Sequence, residues 1–293
     1  MNITLIGGVG QIGYGFAQYL INNGHAVTVT SRREQNERLF DPLPCRIVTA
    51  QMYPNDDGLI SAIKGSDMVI HLAGENTRPV LEALKIHAPQ TPFMYISTFH
   101  VYGTDAGEIT ESTPTAPISI YGQTRLKEEE VVREFAAGGI KALVVRLGNT
   151  FGSSKRKRDD YWKLVVHDYA LQAAQTQKIR VRNSETQRSF ISLDDTYVAL
   201  ELLAQEPWRW PENGIINVGM TVYTMIQMAH KVAGLYQFDM LKECKIESEP
   251  EEKKPRLEYG QAFDCFWKTS KRNPRWEGIT NPIREVIMDA CFR

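Results

Sequence analysis

The stretch ISIYGQTRLKEEE, residues 118–130, puts a phenol and a guanidinium four residues apart: Tyr121 and Arg125. On a helix, that spacing brings both side chains to one face. A cation beside a phenol favours its ionised form, so the Tyr121 pKa is expected to fall. Lys127, two residues further on, faces another way and cannot stand in for Arg125. Just upstream, ISTFHVYG carries a hydroxyl, Thr98, and an imidazole, His100. Histidine takes up and releases a proton near neutral pH.

The elements that must hold them follow from the apolar pattern. NITLI, HAVTVTS, DMVIHLAG, FMYISTF and IKALVVRLGN are short apolar runs, as buried parallel strands are. Helical spacing occupies YGFAQYLINNG, with a Gly24 stop, and residues 56–64, 76–87 and 122–138. Strands alternating with helices predict an α/β fold, a Rossmann-type doubly wound parallel sheet. Residues 1–150 are read as a dinucleotide-binding domain with returning segments near 188–220. Residues 151–187 and 221–293 are read as a smaller, interleaved substrate-binding region. Within it, KRKRDD is a charged loop and 161–176 a helix. RSFISLDDTYVALELLA reads as a strand, a loop and a helix capped by Asp194 or Asp195, burying Ala199, Leu202 and Leu203. GIINVG is a late strand and NPIREVIMDAC a final helix.

Composition narrows the class. The chain has 293 residues, 42% hydrophobic and 24% charged, enough to bury a sizeable core. A net charge of −1 gives no pull toward nucleic acid or membrane. Cys45, Cys244, Cys265 and Cys291 form no CxxC pair and fit neither a zinc site nor a disulfide framework. Reduced thiols of a cytoplasmic protein are expected. No apolar run reaches about 18 residues, so no membrane span is expected.

The first strand runs into IGGVGQIG, with Gly7, Gly10 and Gly13 followed by helical spacing. Glycine at the first position permits the tight turn, at the second lets a pyrophosphate approach, and at the third lets helix and strand pack closely. The helix N-terminus beyond, Gln11 and Ile12 onward, offers free N–H groups. An ordinary glycine-rich loop is the plain alternative.

With these motifs in this order, the chain resembles the extended short-chain dehydrogenases/reductases, the NAD(P)-dependent epimerase/dehydratase family. DMVIHLAG resembles D-x-V-x-H-x-A-A/G, ISTFHVYG resembles S-S/T-x-x-V-Y-G, and YGQTR sits at the Y-x-x-x-K site. VVRLGNTFG resembles R-x-x-N-x-x-G, and RSFISLDD resembles R-D-F-I-x-V-D-D. The resemblance implies that Leu72, Ala73 and Gly74 line the cofactor site. It implies that Tyr121 exchanges a proton with a substrate hydroxyl or ketone, which Thr98 also contacts. Arg125 replaces a lysine that holds the nicotinamide ribose. It keeps its charge at any ordinary pH, but its fork is bulkier and aims its donors differently. The resemblance also implies a base at His100, with Lys163 or His167 as its acid/base partner. Asn149 and Arg188 would meet a substrate diphosphate, and a homodimer is expected. Phe99 and His100 stand where sugar-nucleotide dehydratases carry Asp-Glu, which disfavours dehydration.

The expected activity is therefore an oxidoreductase or epimerase acting on a hydroxyl or keto carbon of a nucleotide sugar. The alternatives are a reductase of a smaller carbonyl compound and a non-catalytic NADP-binding sensor. In the sensor, Tyr121 and Arg125 are a remnant; the plain readings of the others are a hydrogen-bonded loop histidine at His100 and solvated helix positions at Lys163 and His167.

Cofactor choice rests on the end of the second strand. Ser31 takes the slot where an acidic residue would bind both ribose hydroxyls, and Arg32 and Arg33 follow. Arginine binds a 2′-phosphate by charge-assisted hydrogen bonds, so NADP(H) is expected over NAD. Alternatively, the two arginines only solvate a loop. Arg32→Ala should raise the NADPH dissociation constant at least tenfold more than that of NADH, by fluorescence titration; equal losses would remove the NADP assignment.

Overall fold

The computed structural model describes residues 1–33, 39–103, 107–154, 156, 160–249, 258–259 and 278–293. Cys265 and most of the KRKR run lie outside them. In chain order the first elements are β1 (Asn2–Ile6), α1 (Gln11–Asn22), β2 (Ala26–Ser31), β3 (Cys45–Thr49), α2 (Asp57–Ile63), β4 (Met68–His71), α3 (Thr77–His87), β5 (Phe93–Thr98) and β6 (Glu108–Ile109). Then come α4 (Ile120–Ala137), β7 (Ala142–Leu147), β8 (Asn149–Phe151), α5 (Val165–Thr176), β9 (Lys178–Val181), β10 (Gln187–Ser192) and α6 (Leu193–Gln205). The chain ends with β11 (Ile215–Val218), β12 (Thr221–Thr224), α7 (Met225–Met240), β13 (Lys245–Ser248), β14 (Glu258–Tyr259) and α8 (Thr280–Cys291).

Seven strands form a sheet in the order β11-β7-β5-β4-β1-β2-β3, the doubly wound parallel arrangement that the alternating pattern predicts. Its central strands are apolar because helices cover both faces. β4 is buried at every position, and so is β5. β8, β10 and β12 form a smaller mixed sheet.

The chain divides into two compact units. The first comprises Met1–Gly103, Pro114–Leu147 and Ala199–Ile216; the second comprises Thr104–Thr113, Gly148–Val198 and Asn217–Arg293. In the second, α5, α7 and α8 supply a core that includes Val166, Ala170, Met228, Val232, Ile283 and Ile287.

Two local readings change. The expected helix over 161–176 is a short 3-10 turn, Tyr161–Lys163, followed by α5, with Leu164 extended between them. The loop expected before α6 is absent. Ser192, the last residue of β10, accepts a hydrogen bond from Asp195 N–H (3.0 Å). The strand thus caps the helix directly, and Asp194 and Asp195 fall in its first turn, beside the positive end of the helix dipole.

The helix that carries Tyr121 is fixed by charge as well as packing. Ser119 caps α4 by accepting from Gly122 N–H (3.1 Å). Tyr121, Arg125 and Glu129 follow at intervals of four, so they share a face. Glu129 is fully buried and pairs with Arg146 of β7, whose Nη2 lies 2.7 Å from its Oε2 and whose side chain is 2% exposed. Ser97 of β5 donates a short hydrogen bond to the same carboxylate. One carboxylate thus ties α4 to two central strands. A residue of α4 also caps a neighbour: Glu128 accepts from Thr77 N–H, 2.9 Å, at the start of α3.

Removing one partner of a buried ion pair leaves the other charge uncompensated. Glu129→Ala should therefore lower unfolding stability by about 3–5 kcal/mol in urea titrations. A loss below about 1 kcal/mol, the range of exposed pairs, would mean that this pair does not anchor the helix.

Candidate active site

The glycine turn between β1 and α1 is built to leave room. Gly7 has φ +75°, and a Cβ there would come within 2.9 Å of the Ala73 Cβ. Leu72 N–H donates to Ile6 O (2.9 Å), which holds the segment after β4 against the turn. Gly10 precedes α1 without a side-chain cap, and the first turn of α1, starting at Gln11 and Ile12, holds no acidic residue. A Cβ at Gly13 would lie 2.6 Å from the Gly8 Cα, so helix and turn touch backbone to backbone. The free N–H groups and the open cradle fit a dinucleotide pyrophosphate. Gly8 is equally constrained, with a Cβ only 2.9 Å from the Leu5 Cβ, and the spacing rule had not singled it out.

At the end of β2, Ser31 is buried and closes a local turn. Its hydroxyl accepts from Arg33 N–H (3.1 Å) and donates to Arg33 O (3.0 Å). Gln51 donates to Arg32 O at 3.3 Å. The backbone of both arginines is fixed in this way, while their side chains remain exposed.

The first unit brings Thr98, His100, Tyr121 and Arg125 together. Thr98 ends β5, buried, and its hydroxyl accepts from His100 N–H (3.3 Å), starting a single 3-10 turn. The His100 ring meets the Tyr121 ring edge-on, with centroids 5.7 Å apart. Tyr121 is 50% exposed, as a group that must meet a substrate has to be. The α4 backbone approaches this turn closely at Gly122, where a Cβ would lie 2.6 Å from His100 O. Glycine beside the tyrosine is what lets the helix start so near Thr98 and His100.

Arg125 is half-buried. Its guanidinium carbon stands 5.2 Å from the Tyr121 ring centroid. Burial works against its charge, but the phenols of Tyr121 and Tyr95 more than offset this and leave its pKa above the ordinary value. His71, at the end of β4, is pushed down to about 3, first by burial and then by the Arg125 charge. It is therefore neutral near pH 7 and adds no positive charge beside Arg125.

Lys163, Asn149 and Arg188 belong to the second unit. Arg188 Nη1 donates to Asn149 Oδ1 (3.4 Å) from the neighbouring parallel strand. A cavity of about 710 Å³ opens beside them, lined by Lys163, Lys178, Arg180, Arg182 and Arg188, with Asp168 as the acid among them. Glu247 pairs with Lys178 (2.9 Å) and Arg180 (3.4 Å) from β13. The surplus of positive charge suits an anion such as a phosphate. β9, which carries two of these cations, Lys178 and Arg180, with Arg182 just beyond it, has no clear sequence pattern.

His167 is not a solvated helix residue. It is buried, its Nε2–H donates to Gly152 O (3.0 Å), and burial pushes its pKa down to about 4. Its ring packs against Tyr161, with centroids 4.1 Å apart. It is held as a neutral structural donor, which leaves Lys163 as the partner to test.

A family model described as the NAD dependent epimerase/dehydratase family matches residues 3–219. The chain is 27% identical over 239 residues to a dTDP-6-deoxy-L-talose 4-dehydrogenase (NAD(P)(+)) of Kitasatospora kifunensis, covering 74% of this chain and 73% of that protein. It spans between 52% and 61% of the length of three further curated relatives. Among solved structures, it is similar to UDP-glucuronic acid 4-epimerase from Bacillus cereus in complex with UDP-glucuronic acid and NAD. That likeness has a TM-score of 0.75 and 18% identity, covering 99% of each chain. The structure of RMD from Pseudomonas aeruginosa complexed with NADPH has a TM-score of 0.75 and 20% identity, covering 100% of this chain and 98% of that one. Both structural likenesses are of fold.

The depressed histidines give the protein a pH signature. The unfolded chain protonates His71 and His167 near 6.5, while the folded one does so only near 3 and 4. Below 6.5 the unfolded state therefore binds more protons, and stability falls as pH falls. The urea midpoint should drop between pH 7 and pH 4.5, and less steeply in His167→Gln. An unchanged slope in the variant would show that His167 titrates normally.

Proposed function

The chain belongs to the NAD dependent epimerase/dehydratase family, and we propose that it is an NADP(H)-dependent oxidoreductase or epimerase acting on a hydroxyl or keto carbon of a nucleotide sugar. The observation that carries this reading is the grouping of Thr98, His100, Tyr121 and Arg125 in the unit that also contains the glycine cradle.

The cradle at Gly7, Gly10 and Gly13, the α1 N-terminus at Gln11 and Ile12, and Leu72, Ala73 and Gly74 would hold the dinucleotide. Ser31, Arg32 and Arg33 would meet the adenosine ribose and its 2′-phosphate. When bound, the coenzyme supplies or accepts the hydride. The chain's own residues govern the proton. Tyr121 takes it from a substrate hydroxyl during oxidation and returns it during reduction. Thr98 hydrogen-bonds the same oxygen. Arg125 stabilises negative charge on the Tyr121 oxygen while the proton is away. If the keto form persists, the acidified carbon beside it can lose a proton to His100 and regain one from Lys163. That exchange inverts the centre without net redox change. Reduction alone needs only Thr98, Tyr121 and Arg125.

The cation-lined cavity of the second unit supports a phosphate-bearing substrate, with Asn149 and Arg188 on the diphosphate. The B. cereus structure holds UDP-glucuronic acid, and the K. kifunensis relative is named for a dTDP-sugar, which favours the nucleotide-sugar class. The RMD structure holds NADPH and the B. cereus structure NAD, so the preference for NADP(H) rests on the two arginines after β2.

The test is mass spectrometry of UDP-, dTDP- and GDP-sugars incubated with the protein and NADP(H) in deuterated water. Deuterium gained at carbon without net reduction means proton exchange and an epimerase. A two-electron mass change with coenzyme turnover means a reductase or dehydrogenase. Tyr121→Phe should lower either activity at least a hundredfold while NADPH binding persists. No change across the panel despite NADPH binding would reject this reading in favour of a sensor or a smaller carbonyl substrate.

A further inference from the structure

Arginine at 125 is matched by its surroundings, and one neighbour stands out. Its Nη1 donates to three acceptors: Ile96 O at 3.1 Å, the Tyr95 hydroxyl at 3.3 Å and Ala73 O at 3.4 Å. The guanidinium carbon lies 5.9 Å from the Tyr95 ring centroid as well. On another side, a Cβ built on Gly74 would come within 3.1 Å of both Arg125 Cζ and Nη2. The planar group is thus bounded by two carbonyls, a phenol and a bare α-carbon.

We infer that Tyr95 is a positioning residue: its buried hydroxyl, together with the open space over Gly74, sets the Arg125 guanidinium beside Tyr121. This rests on the reading that Tyr121 and Arg125 do the chemistry. Tyr95 lies fully buried in β5, fixed on both sides by its strand neighbours. Burial above all pushes its phenol up to about 12, so it stays protonated and neutral. A neutral phenol oxygen accepts from a guanidinium without adding a charge that would draw Arg125 away from Tyr121.

The arrangement is specific to arginine. A lysine side chain ends one bond short of the Nη position and offers a compact ammonium in place of a planar fork. It cannot fill the space bounded by Tyr95 and Gly74 or satisfy the same three acceptors. The effect of Tyr95 should therefore depend on which cation occupies 125, whereas a purely structural tyrosine would matter equally with either.

The experiment is a double-mutant cycle of Tyr95→Phe and Arg125→Lys, read in two ways. The first readout needs no substrate: the 15N–1H signal of the Arg125 Nη1 group, which makes the contact with Tyr95, identified by its loss in Arg125→Lys. In Tyr95→Phe its exchange with water should accelerate at least tenfold, with thermal stability near that of the wild type. The second is steady-state kinetics on whichever substrate the panel yields. Tyr95→Phe should lower kcat tenfold or more while the KM for coenzyme stays within about threefold, as for loss of one hydrogen bond to a charged group. In the Arg125→Lys background the same change should alter kcat less than about twofold. Gly74→Ala, which presses on the guanidinium from the other side, should accelerate that exchange too.

Unchanged Arg125 exchange in Tyr95→Phe would overturn the inference whatever the activity. So would equal kinetic losses in both backgrounds. If the panel shows no turnover while the exchange accelerates as expected, the placement of Arg125 by Tyr95 stands and the catalytic reading is what fails.

Discussion

The buried carboxylate of Glu129 is the contact on which the candidate site depends. It accepts from Arg146 on β7 and Ser97 on β5 with no solvent access. Desolvating two charges is costly, and such a pair persists only when its geometry is satisfied from several sides. That demand converts charge into position. α4 cannot slide or rotate without breaking a charged hydrogen bond, and Arg125 and Tyr121 sit one and two turns further up the same face. The Arg146 guanidinium carbon is also 4.7 Å from the Tyr102 ring centroid, so the pair reaches the turn after Thr98. The helix, the strand end and the turn form one electrostatically locked block.

Within that block, charge is separated by solvent exposure. Arg146 is neutralised in the interior, and His71 is kept neutral by burial and by Arg125. Arg125 keeps its charge near the half-exposed phenol of Tyr121. An electric field aimed at one oxygen is the kind of preorganisation that costs nothing at the moment of proton transfer. The second unit uses positive charge differently. Its cavity gathers several cations near one another, and Glu247 offsets two of them from a neighbouring strand.

Much of the fold could be read from the chain because its signals are local. The apolar runs of β1, β2, β4, β5 and β7 and the spacing of the glycine turn follow from burial and backbone sterics. The grouping of Thr98, His100 and Tyr121 could be read from ordered motifs. What could not be read depends on partners distant in sequence. β3 is an edge strand of half-buried residues, CRIVT, without the continuous apolar character of the central strands. Glu129 sits in a run of three glutamates, of which it alone is buried, and nothing in the run announces which one faces the core. Tyr95 reads as one more apolar residue of β5, because nothing in FMYIST announces a hydroxyl aimed at residue 125. His167 looked available because its burial depends on Gly152 and Tyr161, outside its own helix.

The order in which the sheet is assembled has a consequence for biosynthesis. β11 closes one edge of the seven-stranded sheet, receiving β7 through hydrogen bonds such as Val144 N–H to Gly214 O (2.8 Å). Yet β11 ends only at residue 218 of 293. At about 5–20 residues per second, a ribosome needs roughly four to fourteen seconds to pass from Leu147 to Val218. From the emergence of Leu147 until then, the nascent chain carries β7, five of whose six residues are buried in the finished protein, as an open edge. Such an edge is a template for pairing with other chains. The growing polypeptide is therefore most in need of chaperone cover while the segment between β7 and β11, much of the second unit, is being made.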